Sequence, residues 1–231
     1  MVPAPMHAGH EKRELNSVTD NLRRGDCAIV GVNTKDGASD QDEFAIVFFT
    51  DLVSNTLALT TNIGVGSDGE LSYSGQPASQ GFSSLSTTSS KSAGWVSLHY
   101  KIPTESSPGP IGYPGVLYIS DMKLDDANGD QIIVYQSAQQ ADGSYKNVYL
   151  CALDTSGAWA TNPTVPLANS ESALPCGLEN GDTAVSLPGT GNARYKNYKY
   201  SGSVSGTAAQ LRASINNPNN WVRWGLPCSA C

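Results

Sequence analysis

The sequence predicts an all-β protein: a single β-sandwich or jelly-roll-like domain with one short C-terminal helix and an N-terminal arm. Short apolar runs of strand length alternate with turn-forming residues along most of the chain, and Gly and Pro number 23 and 13. Helical periodicity is clear in only one segment. A length of 231 residues suits one large all-β domain.

The predicted strands begin at residues 27–33 (CAIVGVN), an apolar run that is typical of a core strand. Residues 43–50 (EFAIVFFT) are rich in aromatic and β-branched residues, which favours a central strand buried on both faces. Residues 56–61 alternate with period two, the pattern of a half-buried strand. Further strands are predicted at 70–74, 94–100, 116–120, 131–135, 147–153, 183–187 and 195–200.

Two segments break the strand pattern. Residues 75–93 are predicted to be a flexible loop, because hydroxyl side chains crowd into 83–92; this would be an O-glycosylation patch if the protein is secreted. Residues 207–215 (TAAQLRASI) are predicted to form the helix. Thr207 can cap it, and Leu211 with Ile215 gives it an apolar face.

The expected organisation is an N-terminal arm at 1–25, a sandwich domain at 26–225 and a cysteine-containing tail at 226–231. Leu15, Val18 and Leu22 recur at helical spacing in the arm, but they supply no core of their own. No apolar run approaches the roughly 18 residues of a membrane span. The first residues also lack the apolar centre of a signal peptide.

The net charge of the chain argues against two classes of binding partner. The chain has 21 acidic and 14 basic residues, a net charge of −7, which argues against nucleic acid and against anionic membrane surfaces. Charged residues make up only 15% of the sequence, and this composition favours a β-rich extracellular or cell-surface domain.

The five cysteines favour a disulfide-bonded, extracellular protein, and the alternative is a reduced intracellular protein with buried thiols. Cys151 and Cys176 are expected to pair and close a moderate loop. Cys27 is expected to pair with Cys228 or Cys231, clamping the two ends of the domain together. Because five is odd, one thiol is left free, buried or joined to another chain.

No motif predicts catalysis, and no cofactor other than calcium is indicated. The histidines are His7, His10 and His99, and no H-E-x-x-H or G-x-S-x-G motif is present. Gly64-x-Gly66-x-x-Gly69 matches a dinucleotide-binding pattern, but no helix is predicted after it. We therefore expect a protein that is not an enzyme.

Two acidic loops are candidate calcium sites, because hard cations prefer oxygen ligands. Turn geometry alone also favours Asp and Asn, so structural turns are the alternative. The tripeptide Arg24-Gly25-Asp26 matches a cell-adhesion motif, which turn chemistry also explains. The candidate calcium ligands are Asp125, Asp126, Asn128 and Asp130 in one loop and Asp36, Asp40, Asp42 and Glu43 in the other.

Several segments carry a family resemblance. Residues 25–33 (GDCAIVGVN) are similar to a strand with the pattern GD-I-A-I-V-G-Y-N that members of one domain family share. Residues 42–51 (DEFAIVFFTD) are similar to the D-E-F-A-F-V strand of the same family. Residues 130–136 and 172–181 are similar to GDQIFAYQG and ALPAGLTDG, and residues 206–221 to a closing SGTxxELLAAINDPANW helix. In this order they resemble a poorly characterised domain family of secreted and surface proteins, mainly bacterial.

The resemblance spans about residues 25–224 and has two departures. Residues 59–64 (LTTNIG) stand where members carry FTDNGW, and Cys176 replaces the family alanine. The family has no established catalytic role. The resemblance therefore implies a β-rich extracellular module of surface or cell-wall proteins and supplies no active site.

Two functions remain in competition. The first is a structural subunit that assembles with itself into a fibre or surface layer, with the arm docking on a neighbouring subunit. The second is a monomeric secreted binding module for carbohydrate or for calcium-dependent adhesion, since four Trp and ten Tyr could stack on glycans. Oligomeric size with and without the arm distinguishes the two.

Overall fold

A computed structural model describes residues 22–34, 42–72, 81–100, 117–119, 122, 124–125, 128–139, 142–163, 171–188 and 197–223. Within these ranges the chain forms eleven strands, one α-helix and one 3-10 turn, and this confirms the all-β fold. The strands are β1 (Cys27–Asn33), β2 (Glu43–Phe48), β3 (Leu57–Thr61), β4 (Phe82–Ser86), β5 (Val96–Tyr100), β6 (Leu117–Ile119), β7 (Gln131–Gln139), β8 (Tyr145–Asp154), β9 (Ala184–Ser186), β10 (Tyr198–Tyr200) and β11 (Trp221–Arg223).

The strands form two sheets. The first, sheet I, has the order β11-β10-β1-β2-β5-β6, and the second, sheet II, has the order β4-β3-β7-β8-β9. The pairs β5–β6 and β8–β9 are parallel and the other pairs are antiparallel. Strand β4 therefore lies at one edge of sheet II, and β5 lies next to the β6 edge of sheet I.

The larger hydrophobic core joins the two sheets. It takes Ile29 and Phe48 from sheet I and Ile132 and Leu153 from sheet II, all nearly or fully buried. Alternate residues of a strand point to opposite faces. The apolar segments of β1, β2, β7 and β8 therefore fill this core with one set of side chains and leave the other set for the outer faces.

A smaller core covers the outer face of sheet II. Ile133 and Ala152 belong to it, whereas their neighbours Ile132 and Leu153 belong to the larger core. The chain around Val65 and around Leu178 packs over these side chains. Backbone bonds such as Ala173 N–H to Val65 carbonyl, 2.9 Å, hold these two covering segments together.

The α-helix α1 (Ala208–Ile215) begins at a capping box. Thr207 Oγ1 accepts a bond from Gln210 N at 3.3 Å, and Gln210 Oε1 accepts one from Thr207 N at 2.9 Å. Only Ile215 of the helix is buried, and it joins the larger core. Arg212 pairs with Asp182 at 3.1 Å, which fixes the exposed side of the helix to the turn before β9.

Three sequence predictions need correction. The segment 75–93 is not a loop throughout, because 82–86 forms edge strand β4. The predicted strand at 70–74 is reduced to an isolated bridge between Val65 and Leu71, and residues 73–80 lie outside the description. Strand β11 was not predicted. No helix in the described ranges has the length and hydropathy that crossing a bilayer requires.

Candidate functional site

A disulfide between Cys27 and Cys151 links the two sheets. Cys27 opens β1 of sheet I, Cys151 lies within β8 of sheet II, and their Cα atoms are 5.7 Å apart, the usual spacing for a disulfide. Both side chains are excluded from solvent and belong to the larger core. The bond spans 124 positions of sequence.

This pairing corrects the expected connectivity. Cys151 bonds to Cys27 and not to Cys176, because the sandwich brings β1 over β8 and leaves Cys176 on an exposed turn. The proposed clamp from Cys27 to the tail is therefore also wrong, although Cys228 and Cys231 themselves lie outside the described residues. A signal was present in the sequence: Cys27 and Cys151 both sit inside apolar strands, where an inter-sheet disulfide of a sandwich is found.

His99 makes a second link between the sheets. Its Nδ1 atom lies 2.9 Å from Ser83 Oγ on β4 of sheet II. Its Nε2 atom lies 3.2 Å from Ser97 Oγ on its own strand, β5 of sheet I. The ring stacks on Phe44 of β2, with centroids 4.6 Å apart and planes inclined by 9°. Hydroxyls can donate or accept, so this arrangement satisfies a neutral imidazole.

Burial lowers the pKa of His99 to about 3, because no solvent stabilises the charged ring. The imidazole is therefore neutral at physiological pH. Ser83 and Ser97 are buried like the histidine, so the serine–histidine contact is closed to an external substrate. We interpret the cluster as a structural link and not as a nucleophilic site.

Asp130 is the centre of a buried polar network. Its Oδ1 accepts a bond from Gln131 N at 2.8 Å, and its Oδ2 accepts bonds from Asn62 Nδ2 at 3.0 Å and Asp125 N at 3.2 Å. Burial raises the pKa of Asp130 well above its ordinary value, and these donors act in the opposite sense. Thr155 Oγ1 accepts from the Asp130 N–H at 2.8 Å. The network ties the turn before β7 to the ends of β3 and β8.

The expected calcium ligands are partly brought together. Asp125 and Asp130 are adjacent, but Asp125 Oδ1 and Oδ2 already accept bonds from the backbone N–H and side-chain amide of Asn128, at 2.9 and 3.0 Å. Asp126 lies outside the described residues. Across the part of the chain that the structure describes, no three or more His, Cys, Asp or Glu residues are grouped as metal ligands. Calcium binding at this loop stays a prediction.

The structure describes only the end of the other acidic loop, which is the other candidate calcium site. Asp42 is buried, and its Oδ2 accepts a bond from Leu124 N at 2.7 Å. Glu43 Oε2 accepts a bond from Asn33 Nδ2 at 3.3 Å across the β1–β2 pair. Asp36 and Asp40 lie outside the described residues, as do His7 and His10. The described carboxylates here thus bond to neighbouring strands and turns of their own domain.

Of the three apolar residues expected to form the assembly arm, the structure describes Leu22, and Leu15 and Val18 lie outside the described residues. Leu22 is buried in the larger core, and its N–H donates to Gln136 Oε1 of β7 at 3.0 Å. Leu22 therefore packs on its own domain and is not available to a neighbouring subunit.

The Arg24-Gly25-Asp26 tripeptide forms the turn that leads into β1. Gly25 is buried and donates to Leu150 carbonyl at 2.8 Å, while Asp26 Oδ2 accepts a bond from Arg23 N at 2.6 Å. The Arg24 guanidinium lies against Gly177. The tripeptide is thus built into the domain surface rather than presented at a projecting tip.

Most described tryptophans serve packing. Trp95 stacks with Phe48, with ring centroids 6.1 Å apart, and Lys91 Nζ lies 5.6 Å from the Trp95 ring centroid. Trp221 is buried and meets Tyr200 edge to face. Trp159 is half-buried, and its Nε1 donates to Asn180 Oδ1 at 3.2 Å. These contacts give the rings structural roles, and glycan stacking stays a prediction.

The fold and these contacts define an all-β sandwich domain with a buried inter-sheet disulfide. No protein-family model, curated protein or solved structure matches this chain. The resemblance to a secreted surface-domain family therefore stays a prediction.

Proposed function

We propose that this protein is an extracellular structural subunit that assembles with itself into a fibre or surface layer, its N-terminal segment docking on a neighbouring subunit. The observation that carries the proposal is the Cys27–Cys151 disulfide, which lies buried between the sheets. Structural disulfides persist in secreted and surface proteins, where the surroundings are oxidising. A covalently closed sandwich suits a subunit that must stay folded there.

The position of Leu22 supports docking by the residues before it. Because Leu22 is seated in the core, the segment 1–21 starts from a fixed point beside β7. Twenty-one residues can reach up to about 70 Å when extended. A domain of about 200 residues is roughly 40 Å across. Such a segment is long enough to contact a second subunit.

The remaining cysteines support a covalent reinforcement of the assembly. The disulfide leaves three of the five cysteines, an odd number, and Cys176 carries an exposed thiol. A thiol on the surface of a secreted protein can join two chains.

Negative-stain microscopy of two proteins tests the proposal: the full chain, and a variant that lacks residues 1–21 but keeps Leu22. We expect filaments or layers from the first and single particles from the second, with unchanged circular dichroism. Full-length Cys176→Ser is the matched control, because it keeps the segment and removes the described free thiol. Single particles from all three proteins would contradict the proposal and favour a monomeric binding module.

A further inference from the structure

The contact between His99 and Ser83 connects the edges of the two sheets at the side of the sandwich away from the disulfide. The disulfide joins β1 to β8, whereas this contact joins β5 to the edge strand β4. Strand β4 pairs in the described sheet only with β3, so cross-sheet contacts contribute to holding it in place.

Two of the three buried side chains that the structure describes on and directly after β4 carry a hydroxyl group. Ser83, Leu85 and Thr87 are buried, and Ser84 and Ser86 are exposed. Leu85 belongs to the larger core. The link through Ser83 therefore adds a polar contact between the sheets to this hydrophobic one.

The ionisable groups on the strands around His99 offer it little compensation as a cation. Strand β4 has no ionisable side chain, and β2 has only Glu43, which neighbours Phe44 on the strand and so points to the opposite face. Strands β5 and β6 contain no Asp, Glu, Lys or Arg.

We propose that His99 is an acid-sensitive latch: in its neutral form it holds edge strand β4 against β5, and its protonation releases β4 from the sandwich. A proton from solvent adds to one ring nitrogen and gives an imidazolium. The charged ring needs hydration that the closed site excludes, and opening of β4 supplies it. The latch does not depend on the proposed assembly, because every group belongs to one domain.

The linkage between protonation of His99 and opening of β4 determines how much the open form increases as the pH falls. An exposed imidazole has a pKa of about 6.5 and the closed form keeps the ring neutral far below this, so the open form gains about tenfold in population per pH unit below 6.5. Between pH 7 and pH 5 the gain is about 25-fold. Burial, which lowers the pKa of His99 to about 3 in the closed form, is the cause of this difference.

Hydrogen–deuterium exchange of the full-length protein tests the latch. Peptides covering 82–88 are followed at pH 7 and pH 5 after correction for intrinsic exchange chemistry, and peptides of β8 serve as the internal reference. We expect the opening of 82–88 to increase about 25-fold at pH 5, and to be far more frequent at both pH values than the opening of β8, which requires global unfolding. His99→Gln, which keeps hydrogen-bonding capacity but does not titrate, should abolish the pH dependence.

Three results would overturn the proposal: equal protection of 82–88 at both pH values, the same acid response in His99→Gln, or protection of 82–88 equal to that of β8 at both pH values, which would indicate that β4 opens only with global unfolding. Ser83→Ala keeps the titrating ring and removes the cross-sheet bond, so it should expose 82–88 already at pH 7. If His99→Gln does not fold, an NMR titration of His99 in the unaltered protein decides. A ring that titrates near 6.5 while 82–88 stays protected contradicts the latch.

Discussion

Cys27 of β1 in sheet I and Cys151 of β8 in sheet II form a disulfide within the larger core, with their Cα atoms 5.7 Å apart. Because the bond encloses so much of the chain, it restricts the unfolded state strongly. Most of sheet I and much of sheet II are formed by residues between the two cysteines.

Removing this disulfide should lower stability by about 2–5 kcal/mol. The double variant Cys27→Ala/Cys151→Ala avoids leaving a new free thiol, and urea unfolding followed by circular dichroism measures the loss. Cys176→Ser is the matched control and should unfold as the unaltered protein does. Equal midpoints for the double variant and the unaltered protein would show that the disulfide is dispensable.

Acid should destabilise the whole domain through His99. Below pH 6.5 the unfolded chain binds a proton that the folded ring, with a pKa of about 3, does not bind. Stability from this group is therefore complete above 6.5 and falls towards pH 3, by about 1.4 kcal/mol per unit.

Buried Asp130 and Asp154 act in the opposite direction. Burial raises their pKa values, so their contribution to the free energy of unfolding falls as the pH rises above the ordinary pKa of an aspartate. The free energy of unfolding must therefore be compared in the unaltered protein and in His99→Gln. We expect a difference in the pH 7 to pH 5 change of about 2 kcal/mol. Parallel pH profiles for the two proteins would contradict this assignment.

Gly129 and Gly143 should differ sharply in their tolerance of alanine. Both have positive φ, +92° and +81°. A Cβ at Gly129 would lie 2.6 Å from the Thr155 carbonyl oxygen and 2.7 Å from Ser156 Cα, whereas a Cβ at Gly143 meets nothing within 4 Å. Gly143→Ala should cost about 1–2 kcal/mol from backbone strain alone, and thermal unfolding should show a clearly larger loss for Gly129→Ala. Equal losses would mean that the backbone at Thr155 moves aside.

Leu22→Ala should destabilise the isolated domain by about 2–5 kcal/mol, the usual cost of a buried leucine. The residue belongs to the larger core, so the loss should be the same in a variant that lacks residues 1–21. Val204→Ala is a suitable control, since Val204 is 90% exposed. A loss confined to assembled material would instead place Leu22 at a subunit contact.

Cys176 should react with a maleimide in the folded, non-reduced protein, because its thiol is free and exposed. Cys27 and Cys151 should be labelled only after reduction and unfolding. Mass spectrometry of proteolytic peptides identifies the sites. A Cys176 peptide that stays unlabelled until reduction would show that this thiol is already joined to another cysteine.

The apolar strands were predictable because their composition leaves little alternative. Residues 27–33 form a strand as predicted, the strand predicted at 43–50 extends over 43–48, and the helix begins at the predicted Thr207 cap. Strand β4 was missed because its sequence, FSSLS, has the hydroxyl content of a loop. Pairing with β3 and burial of Leu85 outweigh that local preference.

The long-range contacts could be predicted only in part from the sequence. The apolar strands around Cys27 and Cys151 favour an inter-sheet disulfide, but it is the order of strands in the two sheets that places β8 opposite β1. The same holds for His99, whose partner Ser83 belongs to the other sheet. By contrast, the acidic turns followed a rule that the sequence does show: Asp125 and Asp142 bond to backbone N–H groups two or three residues later, as turn carboxylates do.

The disulfide also determines how the chain would respond to a pulling force. Tension that enters at Leu22 and leaves near Trp221 would pass from Cys27 to Cys151 through the sulfur–sulfur bond, bypassing strands β2 to β7. The bypassed segment represents roughly 400 Å of contour length that stretching cannot release while the bond is intact. In a fibre, this chain would therefore extend much less under force while the disulfide is intact, in oxidising surroundings, than after the disulfide has been reduced.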